Sequence, residues 1–115
     1  MLDAVDPELL PVLALRLRAL GEPLRLRVMQ ALSTGEKSVG ELAELCAATQ
    51  PNISRHVDRL EQAGWVCRRR SGARVLVRIA DRVGQELCEH VCALIRDQAA
   101  DTAVRVGVNG KGGLL

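Results

Sequence analysis

Between Cys46 and Thr49 stand only two residues, Ala47 and Ala48, with a complete helix signal on either side. Upstream, Ser38 and Glu41 form a Ser-x-x-Glu pattern. In it the serine hydroxyl accepts from the glutamate's backbone N–H, and the glutamate carboxylate accepts from the serine's. Val39, Leu42 and Cys46 supply that helix's apolar face. Downstream, Thr49 is a second N-cap and Pro51 lies in the first turn, where a missing N–H does no harm. Ile53, Val57 and Leu60 then recur at i, i+4 and i+7 until Gly64 closes the helix. Two helices joined this tightly predict a helix-turn-helix.

The flanking segments extend the pattern. Asp6-Pro7-Glu8 starts a first helix running from Leu9 to Leu20, with Gly21 as its end. Glu22-Pro23 opens a second, with Leu24, Val28 and Leu32 on one face and Gly35 as terminator. After Gly64 come two β-rich runs, Trp65–Arg70 and Val75–Ile79, separated by Ser71-Gly72-Ala73; the second alternates as a half-buried hairpin strand does. A last helix is expected from about Asp81 to Ala99 or a little beyond. The glycine-rich tail is expected to be unstructured. The expectation is a mainly α fold with a small β-hairpin, one domain over 1–104 and a tail over 105–115. With one tryptophan and no Phe or Tyr, the core must be built from Leu, Val, Ile and Ala.

Charge distribution narrows the function. Gln50 to Arg78 holds seven arginines and two acids, a net +5 within a chain whose total is +2. A local cationic stretch in an otherwise balanced protein points to an anionic partner, most often nucleic acid. The outer face of the fourth helix carries Gln50, Asn52, Ser54, Arg55, His56 and Arg59, groups able to bond base edges or phosphates in the major groove. The hairpin adds Arg68, Arg69, Arg70 and Arg74 around a short turn, which suits a wing lying along the DNA backbone or minor groove. A polar helix face or an arginine run taken alone is ordinary solvated surface; their order here points to double-stranded DNA. No catalytic triad, paired carboxylates, phosphate loop or HExxH pattern suggests an enzyme. A winged helix that binds protein is the rival reading, and the basic wing speaks against it.

The runs Leu20-Gly21-Glu22-Pro23-Leu24-Arg25-Leu26-Arg27-Val28, Gly40-Glu41-Leu42-Ala43, Gln50–Val57 and Leu60–Val66 resemble the ArsR/SmtB repressors over roughly residues 16 to 96. The resemblance implies a winged helix-turn-helix, dimerising through its first and last helices. It also implies release from an operator by a metal, metalloid or redox signal. Two of the family's inducer sites do not carry over. Ser38 and Gly40 stand at the Cys-x-Cys positions of the arsenite site; Asp81 fits one zinc ligand, but Val83, Leu94 and Asp97 stand at or near the others.

Cys88 and Cys92 remain, four apart on one face of the last helix, along one edge of a stripe of Val83, Leu87, Val91 and Leu94, with His90 on the other. They are the candidate ligands for a thiophilic metal or metalloid inducer such as As(III) or Cd(II). Two alternatives stay open: the same thiols sense an oxidant or reactive sulfur, or they are small interface hydrophobes in a regulator that needs no inducer. Cys46 reads as core, and Cys67 as core or strand edge. No other cofactor is indicated. No apolar run approaches the ~18 residues of a membrane span, and no secretory signal is evident, so the expected setting is the cytoplasm, with no membrane partner and with reduced thiols.

Overall fold

The computed structural model describes residues 6–106, with side chains through Asp101. The chain divides after Arg82 into two compact units. The first holds α1 (Leu10–Leu20), α2 (Pro23–Ala31), β1 (Lys37–Ser38), α3 (Val39–Leu45), α4 (Gln50–Gln62), β2 (Val66–Ser71) and β3 (Arg74–Ile79). Helix α5 (Arg82–Val106) begins at the division, and from Val83 onward it makes up the described part of the second. Among the described residues no helix is long and apolar enough to cross a membrane.

The helix starts follow the chemistry of their caps. Asp6 accepts from the Glu8 N–H at 2.9 Å, but the turn it opens, Pro7–Leu9, is a 3-10 turn, and the α-helix begins only at Leu10. Glu22 caps α2 through its own carboxylate, accepting from Leu24 and Arg25. Those bonds to backbone N–H groups outweigh partial burial and hold its carboxyl below the usual range. Helix α2 ends at Ala31, and a 3-10 turn over Leu32–Thr34 carries the chain to Gly35, whose φ of 132° only glycine adopts without strain.

The core is aliphatic. Val28, Leu42, Ile53, Val57, Leu60 and Val77 are fully enclosed. Each stabilises the fold by about 1.5–3 kcal/mol relative to exposure. Trp65 lies at the edge of this core; its indole N–H donates to the Arg16 carbonyl at 2.9 Å and ties the end of α4 to α1.

The sheet differs from the expected hairpin. It has three antiparallel strands in the order β1-β3-β2. Strand β1 pairs Lys37 with Val77 and Ser38 with Leu76. Two residues show no periodicity, so nothing in the sequence announces this strand. Ser71 pairs with Arg74, which shortens the expected three-residue connection to Gly72-Ala73, with Gly72 at φ 64° as a tight hairpin turn requires. Helix α5 continues past Ala99 to Val106 and so takes in the first two positions of the expected 105–115 tail, the rest of which lies outside the described residues.

Candidate nucleic-acid interface

The Ser38–Glu41 capping box forms in full: Ser38 Oγ accepts from the Glu41 N–H at 3.0 Å, and Glu41 Oε1 from the Ser38 N–H at 2.8 Å. Both bonds favour the ionised carboxylate and hold Glu41 below its ordinary range. Helix α3 ends in a reciprocal pair of backbone bonds, Ala48 N–H to Ala43 and Ala47 N–H to Glu44, with Ala47 left-handed at φ 52°. Helix α4 closes with the same bonds, Trp65 to Leu60 and Gly64 to Glu61, but there glycine takes the left-handed position. Between these closures Thr49 caps α4 through Asn52, and Ile53, Val57 and Leu60 bury its inner face.

The predicted reading residues do not form one uniform row. Asn52 Oδ1 accepts from Arg55, so these two side chains act as a pair. Both line an open cleft of about 660 Å³ with Arg27, Thr49 and Pro51. Gln50 is exposed, its amide lying over Gly40 of α3. Ser54 is half-buried. Arg59 lies toward the other end of α4, in a pocket that also includes Arg18 and Arg25.

His56 departs from the expectation that it faces DNA. It is half-buried, and its Nδ1 accepts from Arg25 Nη1 at 3.1 Å, while Arg25 Nε donates to the Ala19 carbonyl. The cause is its place on the helix, just before Val57 and beside the buried stripe, which turns the ring toward α2. Burial pushes its imidazole below the ordinary value; Glu22 pulls the other way, and Arg25, Arg55 and Arg59 add to the depression.

The wing arginines also separate. Arg68 turns back onto α4, with Nη1 2.6 Å from Asp58 and Nη2 2.8 Å from Glu61; its backbone N–H donates to Glu61 as well. Partial burial opposes its charge, but these carboxylates outweigh it. Where the sequence places Arg68 with the other wing arginines on DNA, the structure turns it back onto Asp58 and Glu61 of α4. On the opposite face Arg69 grips Glu36 with two bonds, Nε–Oε2 at 3.0 Å and Nη2–Oε1 at 2.9 Å. Arg74 lies 3.3 Å from Glu41. Arg70 is exposed at the wing's tip with no ion pair among the described residues. The sequence reading missed Arg27 and the acids that hold the wing; Glu36 and Arg69 are too far apart in the chain for spacing to reveal them.

Cys88 is half-buried and Cys92 exposed on α5, both as free thiols. Burial pushes the Cys88 thiol up, and Cys92 and Glu89 add to the rise. Cys46 is buried, its thiol likewise raised by burial despite Arg27, and Cys67 is half-buried on β2. Among the described residues no three His, Cys, Asp or Glu side chains converge as a metal site.

A family model for a helix-turn-helix domain matches residues 20–66, from the end of α1 to the first residue of β2. The chain is 30% identical over 95 residues to the "Probable mercury resistance operon repressor" of Streptomyces lividans, a match covering 83% of this chain and 76% of that one. It is 34% identical over 84 residues to the HTH-type transcriptional repressor SmtB of Mycobacterium tuberculosis, covering 73% of this chain and 57% of the relative, little more than half of it. Among solved structures, it resembles the homodimeric winged helix-turn-helix DNA-binding domain of "a possible ArsR-family transcriptional regulator" from Mycobacterium bovis. The TM-score is 0.72 at 28% identity, over 78% of this chain and 83% of that one. With its capped α3–α4 unit, its three-stranded wing and these relatives, the chain belongs to the ArsR/SmtB family of winged helix-turn-helix transcriptional repressors.

Proposed function

We propose that this protein represses transcription by binding operator DNA as a homodimer, and that a thiol-reactive inducer taken up by Cys88 and Cys92 releases it. The observation that carries the DNA reading is α4 itself. Its inner face is anchored by three fully buried side chains, while Gln50, the Asn52–Arg55 pair, Ser54 and Arg59 occupy the rest. Amides suit adenine and arginine suits guanine or phosphate, so these side chains read bases while Arg69, Arg70 and Arg74 grip the backbone. Support for the dimer comes from large apolar side chains left exposed in each unit: Leu10, Val12, Leu13, Leu15 and Leu17 on α1, and Val83, Val91, Leu94 and Ile95 on α5. Solvent-facing apolar surface on this scale is what a partner subunit covers. The M. bovis neighbour is described as homodimeric. The working compartment that follows is the cytoplasm.

Two thiols four apart on a helix lie close enough to hold one soft ion, and soft thiolates select such ions. As(III) and Cd(II) fit this chemistry. Similarity to a mercury resistance repressor adds Hg(II), which two thiolates satisfy. Any such ion must displace the Cys88 proton, which burial holds on, so uptake releases protons and weakens toward acid. Oxidation or polysulfide formation at the same pair is the second reading, favoured by the exposure of Cys92. The test is a mobility-shift titration on the DNA upstream of its own gene, with each ion, peroxide or polysulfide added to the complex. Absence of salt-sensitive binding sinks the repressor reading. If Cys88→Ser and Cys92→Ser both respond to every inducer as the wild type does, the sensing site lies elsewhere.

A further inference from the structure

Three of the four wing arginines are already engaged by carboxylates of the same chain, yet a wing that grips DNA needs its guanidinium groups for phosphates. The two outer-face pairs carry the inference. Arg69, on β2, reaches across β3 to Glu36, which immediately precedes β1, and takes both carboxylate oxygens in the planar fork that a phosphate would otherwise occupy. Arg74, at the start of β3, rests on Glu41, whose Oε1 also serves the α3 cap. Both arginines are well exposed, so nothing in the fold of this unit bars DNA from them except these two acids.

We propose that Glu36 and Glu41 are resident competitors for operator phosphates: they hold Arg69 and Arg74 in the free protein, and DNA must displace them to engage the wing. The inference rests on the DNA-binding reading above and names two residues that set its strength. Exchanging one carboxylate partner for a phosphate returns less than filling an unpaired guanidinium. The acids therefore lower affinity and blunt its salt dependence without touching a base.

The test is a double-mutant cycle on the full chain, read by fluorescence anisotropy. Two duplexes of equal length serve as probes, one from upstream of its own gene and one of random sequence, across a salt series. Glu36→Gln is expected to tighten binding to both duplexes by roughly 2- to 5-fold, the range an exposed ion pair supports. The slope of log affinity against log salt should steepen by only a fraction of the ~0.9 of a full phosphate contact, because Arg69 meets a phosphate in both complexes and the variant merely lacks a released carboxylate that takes up a cation. In the Arg69→Ala background that gain should vanish. Glu41→Gln, which keeps an oxygen for the Ser38 N–H, should behave likewise against Arg74→Ala. If the gain survives in the arginine-less backgrounds, the acids act only by long-range repulsion and the competition is refuted. No gain from either glutamine variant refutes it equally. If the wild type binds neither duplex at low salt, the DNA-binding reading itself falls, an outcome distinct from both.

Discussion

Arg25 donates from Nη1 to the Nδ1 of His56 at 3.1 Å, so the contact between α2 and α4 depends on an uncharged imidazole. A protonated ring has no acceptor to offer and would face Arg25 with a like charge. Burial first, and the Arg25 contact with it, make the folded state hold the His56 proton less readily than the unfolded chain.

The sign of the pH effect follows. Stability from this contact is complete above the unfolded value near 6.5 and declines as pH falls below it. Thermal melts of the wild type between about pH 7.5 and 5.5 should show a falling Tm. His56→Asn, which keeps an acceptor but does not titrate, should flatten the profile; an identical decline in both proteins would place the effect elsewhere.

The paired helix closures make a second prediction. Ala47 and Gly64 occupy equivalent left-handed positions, and only glycine does so without steric cost. Ala47→Gly should stabilise the protein by about 0.5–1 kcal/mol. Gly64→Ala should destabilise it by at least ~1 kcal/mol, because the added Cβ would also lie 3.3 Å from Arg16 Nη1. Denaturant midpoints of the two variants should move in opposite directions.

Arg68 and Arg70, two residues apart on β2, have separate tasks. Arg68→Ala should cost about 1 kcal/mol of stability by leaving Asp58 and Glu61 without their shared partner, while the salt slope of DNA binding changes little. Arg70→Ala should leave stability alone, weaken binding to all sequences alike and lower the slope by about 0.9. Reversed outcomes would exchange the two roles.

Sequence preference should instead follow α4. Gln50→Ala and Arg55→Ala are each expected to cost ~1–3 kcal/mol on the specific site and much less on random DNA. Arg55→Ala should also free the Asn52 amide, so its discrimination should change in kind as well as in size.

The parts of this fold that were legible in the sequence are those decided locally. The Ser38–Glu41 box, the Thr49 cap, the Gly64 closure and the buried run of Ile53, Val57 and Leu60 each depend on residues within a few positions of one another. Strand β1 was invisible because two residues carry no pattern, and its pairing with β3 is decided by tertiary proximity. The same limit hid the partners of the arginines. Composition correctly located a basic segment, but Arg69 meets Glu36 and Arg25 meets His56 only after the chain has folded back on itself. The inward turn of His56 was half readable, since helical spacing sets it beside the buried stripe; the residue waiting there was not.

Trp65 is the only aromatic side chain among Phe, Tyr and Trp in the chain, and its indole is pinned to the Arg16 carbonyl where α1 meets the end of α4. The protein thus contains a natural optical gauge at a single address. Near-ultraviolet emission originates at that junction alone, with no tyrosine background to subtract. An event that shifts α1 against α4 can be followed in real time on unlabelled protein, and one that leaves the junction undisturbed will be dark.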